Sequence, residues 1–203
     1  MTTDLIDQFL SKKVYLGAGA TSTVYRVNNS FLGKGYLCLK ILNHELFMPD
    51  EVKTTQFKSK SIWNEEEEND DDIGNEKIQI DMDKVRNLFN EYVLLSNLNH
   101  PNIVKVFGFY YGNENHNPAI LLEYCKFNLE KIIKELNDDD LVGIIYEICL
   151  AMKYVHEMNI IHRDLKMKNI LITSKKHVKI CDFGISKKMD LTTFTSNTHN
   201  IGT

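Results

Sequence analysis

The strongest constraint on the fold is an ordered series of polar residues near the end of the chain. Residues 162–169 read HRDLKMKN, two short β-type runs follow at 170–173 and 178–181, and Asp182-Phe183-Gly184 comes next. This spacing brings together two carboxylates, a lysine and an amide, as needed to hold a metal nucleotide beside an attacking hydroxyl. Asn169 and Asp182 offer hard oxygen ligands, which suit Mg²⁺ better than a soft metal.

Composition and charge exclude several other classes of protein. The chain has 203 residues, 43% of them hydrophobic, which is enough for one domain or two small lobes with a substantial core. An acidic run at 65–72 holds seven of the 28 acidic residues, and the remaining 21 face 24 scattered basic ones. Without a basic stripe, nucleic-acid binding is not expected. No apolar stretch approaches the length of a membrane span, so no membrane association is expected.

The four cysteines also bear on the cellular setting. They are far apart and form no C-x-x-C pair, which argues against a zinc site or a redox motif. A reducing compartment fits best, and we expect a cytoplasmic protein without excluding the nucleus.

The first half of the chain is predicted to form a sheet with one helix. Glycine turns separate β-type runs at 23–27 and 36–41, and two further runs occupy 103–110 and 119–124. Residues 43–81 lose this periodicity and carry the acidic run, so they are predicted to be a disordered insertion. Apolar residues return at helical spacing from Val85 to Leu98, before Pro101.

The second half changes to a helical pattern. Apolar residues between Leu141 and Val155 predict a long helix with a wide buried stripe, for which Asn137 or Asp138 is a plausible N-cap. The polar, threonine-rich residues after Lys187 are predicted to form a mobile loop.

Two features earlier in the chain extend the polar series. Residues 16–24, LGAGATSTV, form a turn of small residues whose backbone N–H groups can approach phosphate oxygens. Lys40 ends a β-type run, and Glu91 lies on the predicted helix. A lone buried ammonium is costly, so Lys40 is expected to have a carboxylate partner when the site is assembled. Taken alone, these features also fit an ordinary glycine hairpin and two solvated surface charges.

Taken in order, the features resemble those of eukaryotic protein kinases. The resemblance covers residues 14–203 apart from the acidic insertion, although Ser22 stands in place of the family's third loop glycine. It implies an α+β, protein-kinase-like two-lobe fold, with a five-stranded antiparallel sheet plus one helix in the N-lobe and an incomplete helical C-lobe. The expected organisation is an N-terminal extension at 1–13, an N-lobe at 14–125 and a partial C-lobe at 126–203 that ends in the activation segment.

The resemblance implies a role for each candidate residue. Asp164 would accept the proton of the substrate hydroxyl, and Lys166 would offset charge on the transferred phosphoryl group. Lys40 would contact the α and β phosphates of ATP, with Glu91 as its ion-pair partner. The expected Mg²⁺ ligands are Asn169 and Asp182. The expected ATP-binding residues are Leu16, Gly17, Ala18, Gly19, Ala20, Ser22, Val24, Cys38, Lys40, Leu122, Glu123, Cys125 and Leu171. The side chains expected to stack between the lobes are Leu95, Val106, His162 and Phe183.

The resemblance also implies the type of kinase and its partners. Lys166 is typical of serine/threonine kinases, and residues 179–184 are similar to the tyrosine-kinase-like branch of that class. The implied reaction is ATP-dependent phosphorylation of a serine or threonine in a protein substrate. Arg163 resembles the arginine of kinases whose activation loop is ordered by phosphorylation, so an upstream kinase could act on residues 192–198.

Two interpretations of the whole chain remain open. The match ends within the activation segment, and without further C-lobe helices the apolar stripe of the 141–155 helix would face water. The first interpretation is therefore a fragment of a protein kinase with little activity alone. The alternative is a nucleotide-binding, pseudokinase-like or decoy module that acts by binding a partner. Intact Asp164, Asn169 and Asp182 favour the first. Cys38, Cys125 and Cys181 would surround the nucleotide pocket as inert buried thiols; the alternative is that Cys125 or Cys181 is reactive and that ATP protects it.

Overall fold

The computed structural model describes residues 1–29, 35–43, 74–113 and 115–188, and for 74–82 only the helical backbone. Most of the predicted acidic insertion and all of the 192–198 loop therefore lie outside the described residues. In the part of the chain that is described, no helix is long and apolar enough to cross a membrane.

The first half of the chain forms the five-stranded antiparallel sheet that was predicted. The strands lie in the spatial order β1-β2-β3-β5-β4, and the register of β2 with β3 is continuous over seven residue pairs. The strands are β1 (Val14–Ala18), β2 (Ser22–Asn28), β3 (Tyr36–Leu42), β4 (Val106–Tyr110) and β5 (Ala119–Glu123).

A long helix, α2 (Gly74–Ser96), packs on one face of the sheet. Its Leu88 and Leu95 are buried in the main hydrophobic core. The helix begins inside the segment predicted to be disordered up to residue 81, so that boundary was wrong. The acidic run dominated the prediction, although Ile78 and Met82 continue the apolar spacing of the helix in the sequence.

A helix that the sequence did not reveal, α1 (Thr3–Ser11), covers the opposite face of the sheet. Its Ile6 and Phe9 are almost fully buried against Leu37 and Leu39 of β3. Burying two such side chains contributes about 3–6 kcal/mol before entropy is counted. Successive residues of a strand point to opposite faces, so β3 gives its odd-numbered residues to α1 and directs Lys40 toward α2.

The second half is mainly helical, with short strands at the site. Its longest helix, α4, begins after Asn137, whose side chain accepts a hydrogen bond from the Asp140 N–H at 2.8 Å and caps the helix. The elements are β6 (Phe127–Asn128), α3 (Leu129–Ile132), a 3₁₀ turn (Ile133–Glu135), α4 (Asp138–Glu157), β7 (Ile160–Ile161), a 3₁₀ turn (Met167–Asn169), β8 (Ile170–Ile172), β9 (Val178–Ile180) and β10 (Lys187–Lys188).

The two halves share one continuous hydrophobic core. Ile103, in the connection after α2, forms a parallel bridge with Ile180 of β9, and Val104 N donates to the Ile180 carbonyl at 2.9 Å. These backbone bonds explain why β4 begins at Val106 rather than at the predicted residue 103. They also fix α2 relative to β9, which leads directly into Asp182.

Candidate active site

Lys40, Glu91 and Asp182 meet in a half-buried ion cluster between the two halves of the chain. Lys40 Nζ lies 2.7 and 2.9 Å from the two carboxylate oxygens of Glu91 and 3.0 Å from Asp182 Oδ1. The side chains of Lys40 and Glu91 are 14% and 3% exposed, whereas that of Asp182 is 42% exposed. The carboxylate partner that was predicted for Lys40 is therefore present, and Asp182 is a second one.

Charge and burial have opposite effects on the pKa values of Lys40 and Glu91. Burial alone would lower the pKa of Lys40, but the negative charges of Glu91 and Asp182 reverse the effect, so the pKa of the amine is raised. Burial raises the pKa of Glu91, and the ammonium of Lys40 counteracts it. The amine therefore stays charged and bound to both carboxylates at neutral pH.

A second cluster forms around Asp164 in the loop that follows β7. Lys166 Nζ lies 2.6 Å from Asp164 Oδ2, and Asn169 Nδ2 donates to the same oxygen and to the Asp164 carbonyl, both at 2.9 Å. The hydrogen bond from Lys166 is the main reason that the pKa of Asp164 is lowered. The carboxylate is therefore ionised at neutral pH and able to accept a hydrogen bond from a hydroxyl.

Asn169 and Asp182 lie next to each other because β8 and β9 pair antiparallel. Cys181 N donates to the Asn169 carbonyl at 3.0 Å, which places the two candidate metal ligands at the same end of the hairpin. The Asn169 amide nitrogen binds Asp164, and Asp182 binds Lys40 through Oδ1. No donor from the described residues bonds to the Asn169 amide oxygen or to the second carboxylate oxygen of Asp182. These two hard oxygens fit a cation such as Mg²⁺.

His162 hydrogen-bonds to the backbone of both Asp164 and Cys181, the residue before Asp182, and so links the two clusters. The ring is 2% exposed, lies 3.0 Å from the Cys181 carbonyl through Nε2, and accepts from Asp164 N–H through Nδ1 at 3.2 Å. These bonds fit a neutral ring with its proton on Nε2. Burial lowers the pKa of His162, which favours the same form. The ring also contacts Phe183 edge-on, with centroids 4.6 Å apart.

Of the four side chains predicted to stack between the lobes, His162 and Phe183 are in direct ring contact. Phe183 and Leu95 are buried in the main core, against which Val106 is partly packed. Asp182 has a φ of 65°, a left-handed conformation that is unusual for a residue other than glycine. A Cβ on Gly184 would lie 3.3 Å from Glu91 Oε2, so glycine there leaves room for the ion cluster.

The glycine-rich turn, residues 16–24, includes the end of β1 and the start of β2, and its glycines have open space around them. A Cβ built on Gly17 would meet no atom within 4 Å, and one on Gly19 would meet only the Ser22 carbonyl at 3.8 Å. Among the described glycines, only Gly35 and Gly112 have positive φ. Small residues in this turn are therefore consistent with the close approach of a ligand. Leu16, Ala18 and Ala20 of the same turn are exposed.

The residues expected around the purine line the adjoining strands. Cys38 pairs with Leu122 across β3 and β5, Val24 pairs with Lys40, and Leu171 pairs with Lys179. Val24, Cys38 and Leu171 are half-buried, as are Glu123 and Cys125, as expected for the wall of a cleft.

The cysteines near this wall have the properties of inert thiols. Burial raises the pKa of Cys38 and of Cys125 to about 12, and burial likewise raises the pKa of Cys181. Thiolates are the reactive form, so all three side chains are poor nucleophiles at neutral pH. These results favour the inert-thiol interpretation over the reactive one.

Three polar anchors of the site were missed by the sequence analysis. Asn43, assigned to the disordered insertion, donates to the Gly19 carbonyl at 3.1 Å and accepts from Thr23 Oγ1, so it fixes the glycine-rich turn. Lys179 Nζ lies 2.9 Å from Glu123 Oε2 and joins β9 to the end of β5. No short-range pattern in the sequence marks either contact.

The third anchor is a carboxylate on α4. Glu147 accepts from Asn102 Nδ2 at 2.8 Å and from Val178 N at 2.6 Å, and it lies 2.7 Å from His177 Nδ1. It therefore joins α4, β9 and the connection after α2. Asn102 also donates to the Val178 carbonyl at 3.1 Å.

Comparison with known proteins identifies the class that this fold and site define. The protein kinase domain family matches residues 72–203, which is more than half of the chain. The chain belongs to the protein kinase family, whose members in general use ATP and a divalent metal.

The relatives include serine/threonine kinases and a tyrosine kinase. The chain is 32% identical to serine/threonine-protein kinase RUNKEL of Arabidopsis thaliana over 61% of its length, and 34% identical to an Aurora kinase of Debaryomyces hansenii over 61%. It is 34% identical to tyrosine-protein kinase receptor svh-2 of Caenorhabditis elegans over 54%. The matches cover 9%, 31% and 11% of these relatives, so the chain spans less than a third of their length.

Proposed function

We propose that this chain carries the ATP-binding and catalytic residues of a serine/threonine protein kinase. The observation that carries the proposal is the arrangement of two ion clusters at one cleft. Lys40 binds Glu91 and Asp182 on one side, and Asp164 binds Asn169 on the other. Residues that are 142 positions apart in sequence, Lys40 and Asp182, are thereby brought within 3.0 Å.

Each group would have a defined part in binding Mg-ATP. Bound Mg-ATP would supply the phosphoryl group and part of the charge neutralisation that its transfer needs. Asn169 and Asp182 would hold the Mg²⁺ through their free oxygens. Lys40 would bind phosphate oxygens, and Glu91 would keep its amine in place. The small residues of the glycine-rich turn would let backbone N–H groups approach the phosphates.

Asp164 would orient the acceptor hydroxyl and receive its proton. Its lowered pKa keeps the carboxylate ionised, and the hydrogen bond from Asn169 fixes its position. Lys166 Nζ, 2.6 Å from the same carboxylate, would offset the charge that develops on the transferred group. Serine or threonine as acceptor is supported by Lys166 and by relatives such as RUNKEL.

An exposed apolar face on α4 supports a more limited activity for this chain alone. Val142, Ile145 and Tyr146 are 67%, 59% and 63% exposed and recur at helical spacing. Exposed apolar side chains of this kind favour association with another apolar surface. We therefore propose that the 203-residue chain turns over slowly by itself. The same face supports the second candidate function, a nucleotide-binding decoy that acts through a partner.

Phosphate transfer measures the base assignment directly. We would follow ³²P transfer from γ-labelled ATP to a protein acceptor, using this chain, an extended chain that continues past residue 203, and each with Asp164→Asn. We expect the extended wild type to be the most active, and Asp164→Asn to lower its rate by about 10²–10⁴-fold. Equal rates with and without Asp164→Asn would remove the base assignment.

Nucleotide binding separates the kinase from the decoy. Binding of a fluorescent ATP analogue with Mg²⁺ should weaken in Asp182→Asn, because one metal ligand and one partner of Lys40 change together. If the extended chain binds nucleotide but transfers no phosphate to any acceptor, the decoy function is supported. If neither chain binds nucleotide, both functions fail.

Two finer aspects of the proposal concern regulation and location. Arg163 is exposed and uses Nε to donate to the Ile185 carbonyl, which leaves its terminal nitrogens for a phosphate on the 192–198 loop. An upstream kinase would provide that phosphate. All four cysteines are free thiols, which supports a cytoplasmic location.

A further inference from the structure

The surface around Asp164 is rich in exposed cations. Within residues 161–169 and 184–188, every arginine and lysine side chain is exposed and Asp164 is the only acidic residue. Asp182, which is 42% exposed and binds Lys40, lies just before the second segment. The exposed cations are Arg163, Lys166, Lys168, Lys187 and Lys188. Five cations beside two carboxylates favour a positive potential near Asp164.

Backbone pairing places Lys187 and Lys188 next to the start of the catalytic loop, one on each face of a short strand. Because β10 pairs antiparallel with β7, Lys187 lies opposite Ile161. Ser186 Oγ donates to the His162 carbonyl at 3.0 Å and fixes the start of β10 there. Lys168 follows Asp164 within the catalytic loop, in the 3₁₀ turn Met167–Asn169.

Asp164 pairs with Lys166, but carboxylates of the described residues do little to neutralise the other three lysines. Lys187 and Lys188 form no ion pair with any residue that the structure describes. Lys168 Nζ is 3.9 Å from Glu130 Oε1, and the two side chains are 63% and 46% exposed. An ion pair this long and this exposed contributes little, so Lys168 remains available to another anion.

Apolar side chains lie among the cations and indicate the kind of ligand. Ile161, Leu165, Met167 and Ile185 are 39%, 44%, 44% and 56% exposed. The two segments contain no Phe, Tyr or Trp. Single-stranded nucleic acids are held largely by bases stacked on aromatic rings, so this surface favours a peptide over RNA. A peptide can present anionic and apolar side chains alternately along an extended backbone.

We infer that the exposed cations next to the catalytic loop, Lys168, Lys187 and Lys188, select protein substrates whose acceptor hydroxyl is flanked by anionic side chains. Carboxylates and phosphate esters share the required chemistry. The inference rests on the proposed kinase function and deepens it by defining the substrate class. Peptides with basic flanks are repelled by the same cations, which makes the selection sharper than attraction alone.

Peptide affinity tests the inference without requiring turnover. Fluorescence anisotropy would measure binding of four serine peptides to the 203-residue chain, with flanking Glu, phosphoserine, Gln or Lys. We expect the Glu and phosphoserine peptides to bind about tenfold more tightly than the Gln peptide at low salt, and the Lys peptide to bind weakest. The difference should shrink as salt is added. The ratio of the Glu and phosphoserine affinities identifies the preferred anion.

Charge variants assign the preference to these lysines. Lys168→Gln, Lys187→Gln and Lys188→Gln combined should remove the preference for anionic flanks, and the corresponding Glu triple variant should reverse it. The Gln variant introduces no repulsion, so it covers the case in which the Glu variant does not fold. Lys175→Glu is the matched control, because Lys175 is exposed in the β8–β9 turn, at the opposite end of β8 from Asn169.

Each result has a defined meaning. Equal affinity for all four peptides, or a preference that survives in the Gln triple variant, overturns the inference. An RNA oligonucleotide that binds more tightly than the Glu peptide also overturns it. Binding of the fluorescent ATP analogue is measured on the same samples. If that binding is absent while the peptide preference is present, the proposed kinase function fails and the charge selection stands.

Discussion

The Lys40 cluster and the Asp164 cluster are built from similar charges, but the surrounding fold treats them differently. The Lys40 cluster joins β3, α2 and Asp182, the second residue after β9, and its central ion pair is nearly withdrawn from water. The Asp164 cluster lies within eight residues of sequence, and the Asp164 and Lys166 side chains are 29% and 51% exposed. The difference teaches that the first cluster contributes to the stability of the fold in addition to its proposed part in nucleotide binding, whereas the second contributes little to stability.

Glu91→Gln should produce the largest loss of stability. The change leaves Lys40 with Asp182 alone and lowers the free energy of unfolding by about 2–3 kcal/mol, because a buried ammonium loses its closest counter-charge. Denaturant unfolding measures it. Glu130→Gln, which alters an exposed residue, is the matched control and should have almost no effect. If Glu91→Gln lowers the free energy of unfolding no more than Glu130→Gln does, the buried ion pair of Lys40 does not stabilise the fold.

Removal of the Lys179–Glu123 ion pair should have a smaller effect. Lys179→Met keeps the aliphatic stem and removes the charge 2.9 Å from Glu123. The side chains are 17% and 27% exposed, so we expect a loss of about 1 kcal/mol in the free energy of unfolding. The double variant with Glu123→Gln measures the coupling. Additive losses from the two changes would contradict an interaction between these side chains.

Acid should destabilise the fold modestly through His162. Because burial lowers its pKa in the folded protein below the ordinary 6.5, the unfolded chain binds this proton more readily. Stability from this group is complete above pH 6.5 and declines as the pH falls below that value. The negative charges of Asp182 and Asp164 act to raise the pKa of His162 and so reduce this loss of stability, whereas the positive charge of Lys166 lowers the pKa and increases the loss. Thermal unfolding of wild type and His162→Phe between pH 7.5 and 5 should show a shallower pH dependence in the variant.

The smallest change in stability is expected at the exposed cluster. Lys166→Ala should leave the unfolding midpoint within experimental error while it lowers the rate of phosphate transfer, since the ion pair with Asp164 is solvated. Unfolding and ³²P transfer are measured on the same preparation of the extended chain. If Lys166→Ala lowers the unfolding midpoint but not the rate of phosphate transfer, the Asp164 cluster stabilises the fold and Lys166 has no part in the chemistry.

Sequence alone predicted the Asp164 cluster because all its members belong to one loop. Asp164, Lys166 and Asn169 lie within six residues and are close in any compact conformation of that segment, so their spacing carries most of the information. The strands of the sheet were predicted for a related reason, since runs of β-type residues are separated by turns that lie close by in the sequence. The N-cap at Asn137 likewise depends on a contact three residues away.

Contacts between distant segments could not be predicted in this way. Leu5, Ile6, Phe9 and Leu10 have helical spacing, but spacing does not reveal which surface α1 will cover. Lys179 and Glu147 look like ordinary solvated charges until β9 is placed against its neighbours. The proximity of Lys40, Glu91 and Asp182 was predicted only through resemblance to a family. The site roles themselves stay predictions until the proposed experiments are done.

The placement of α1 has a consequence for the motions of the sheet. With α1 on one face and α2 on the other, the central strands β3 and β5 are shielded on both sides, and Leu39 and Ile120 are completely buried. Their amide protons should exchange with deuterium only when a large part of the chain opens. The amides of the glycine-rich turn, which lies beyond this shielding, should exchange within the fastest phase. Nucleotide could then be admitted by local opening of the turn while the sheet beneath it stays closed.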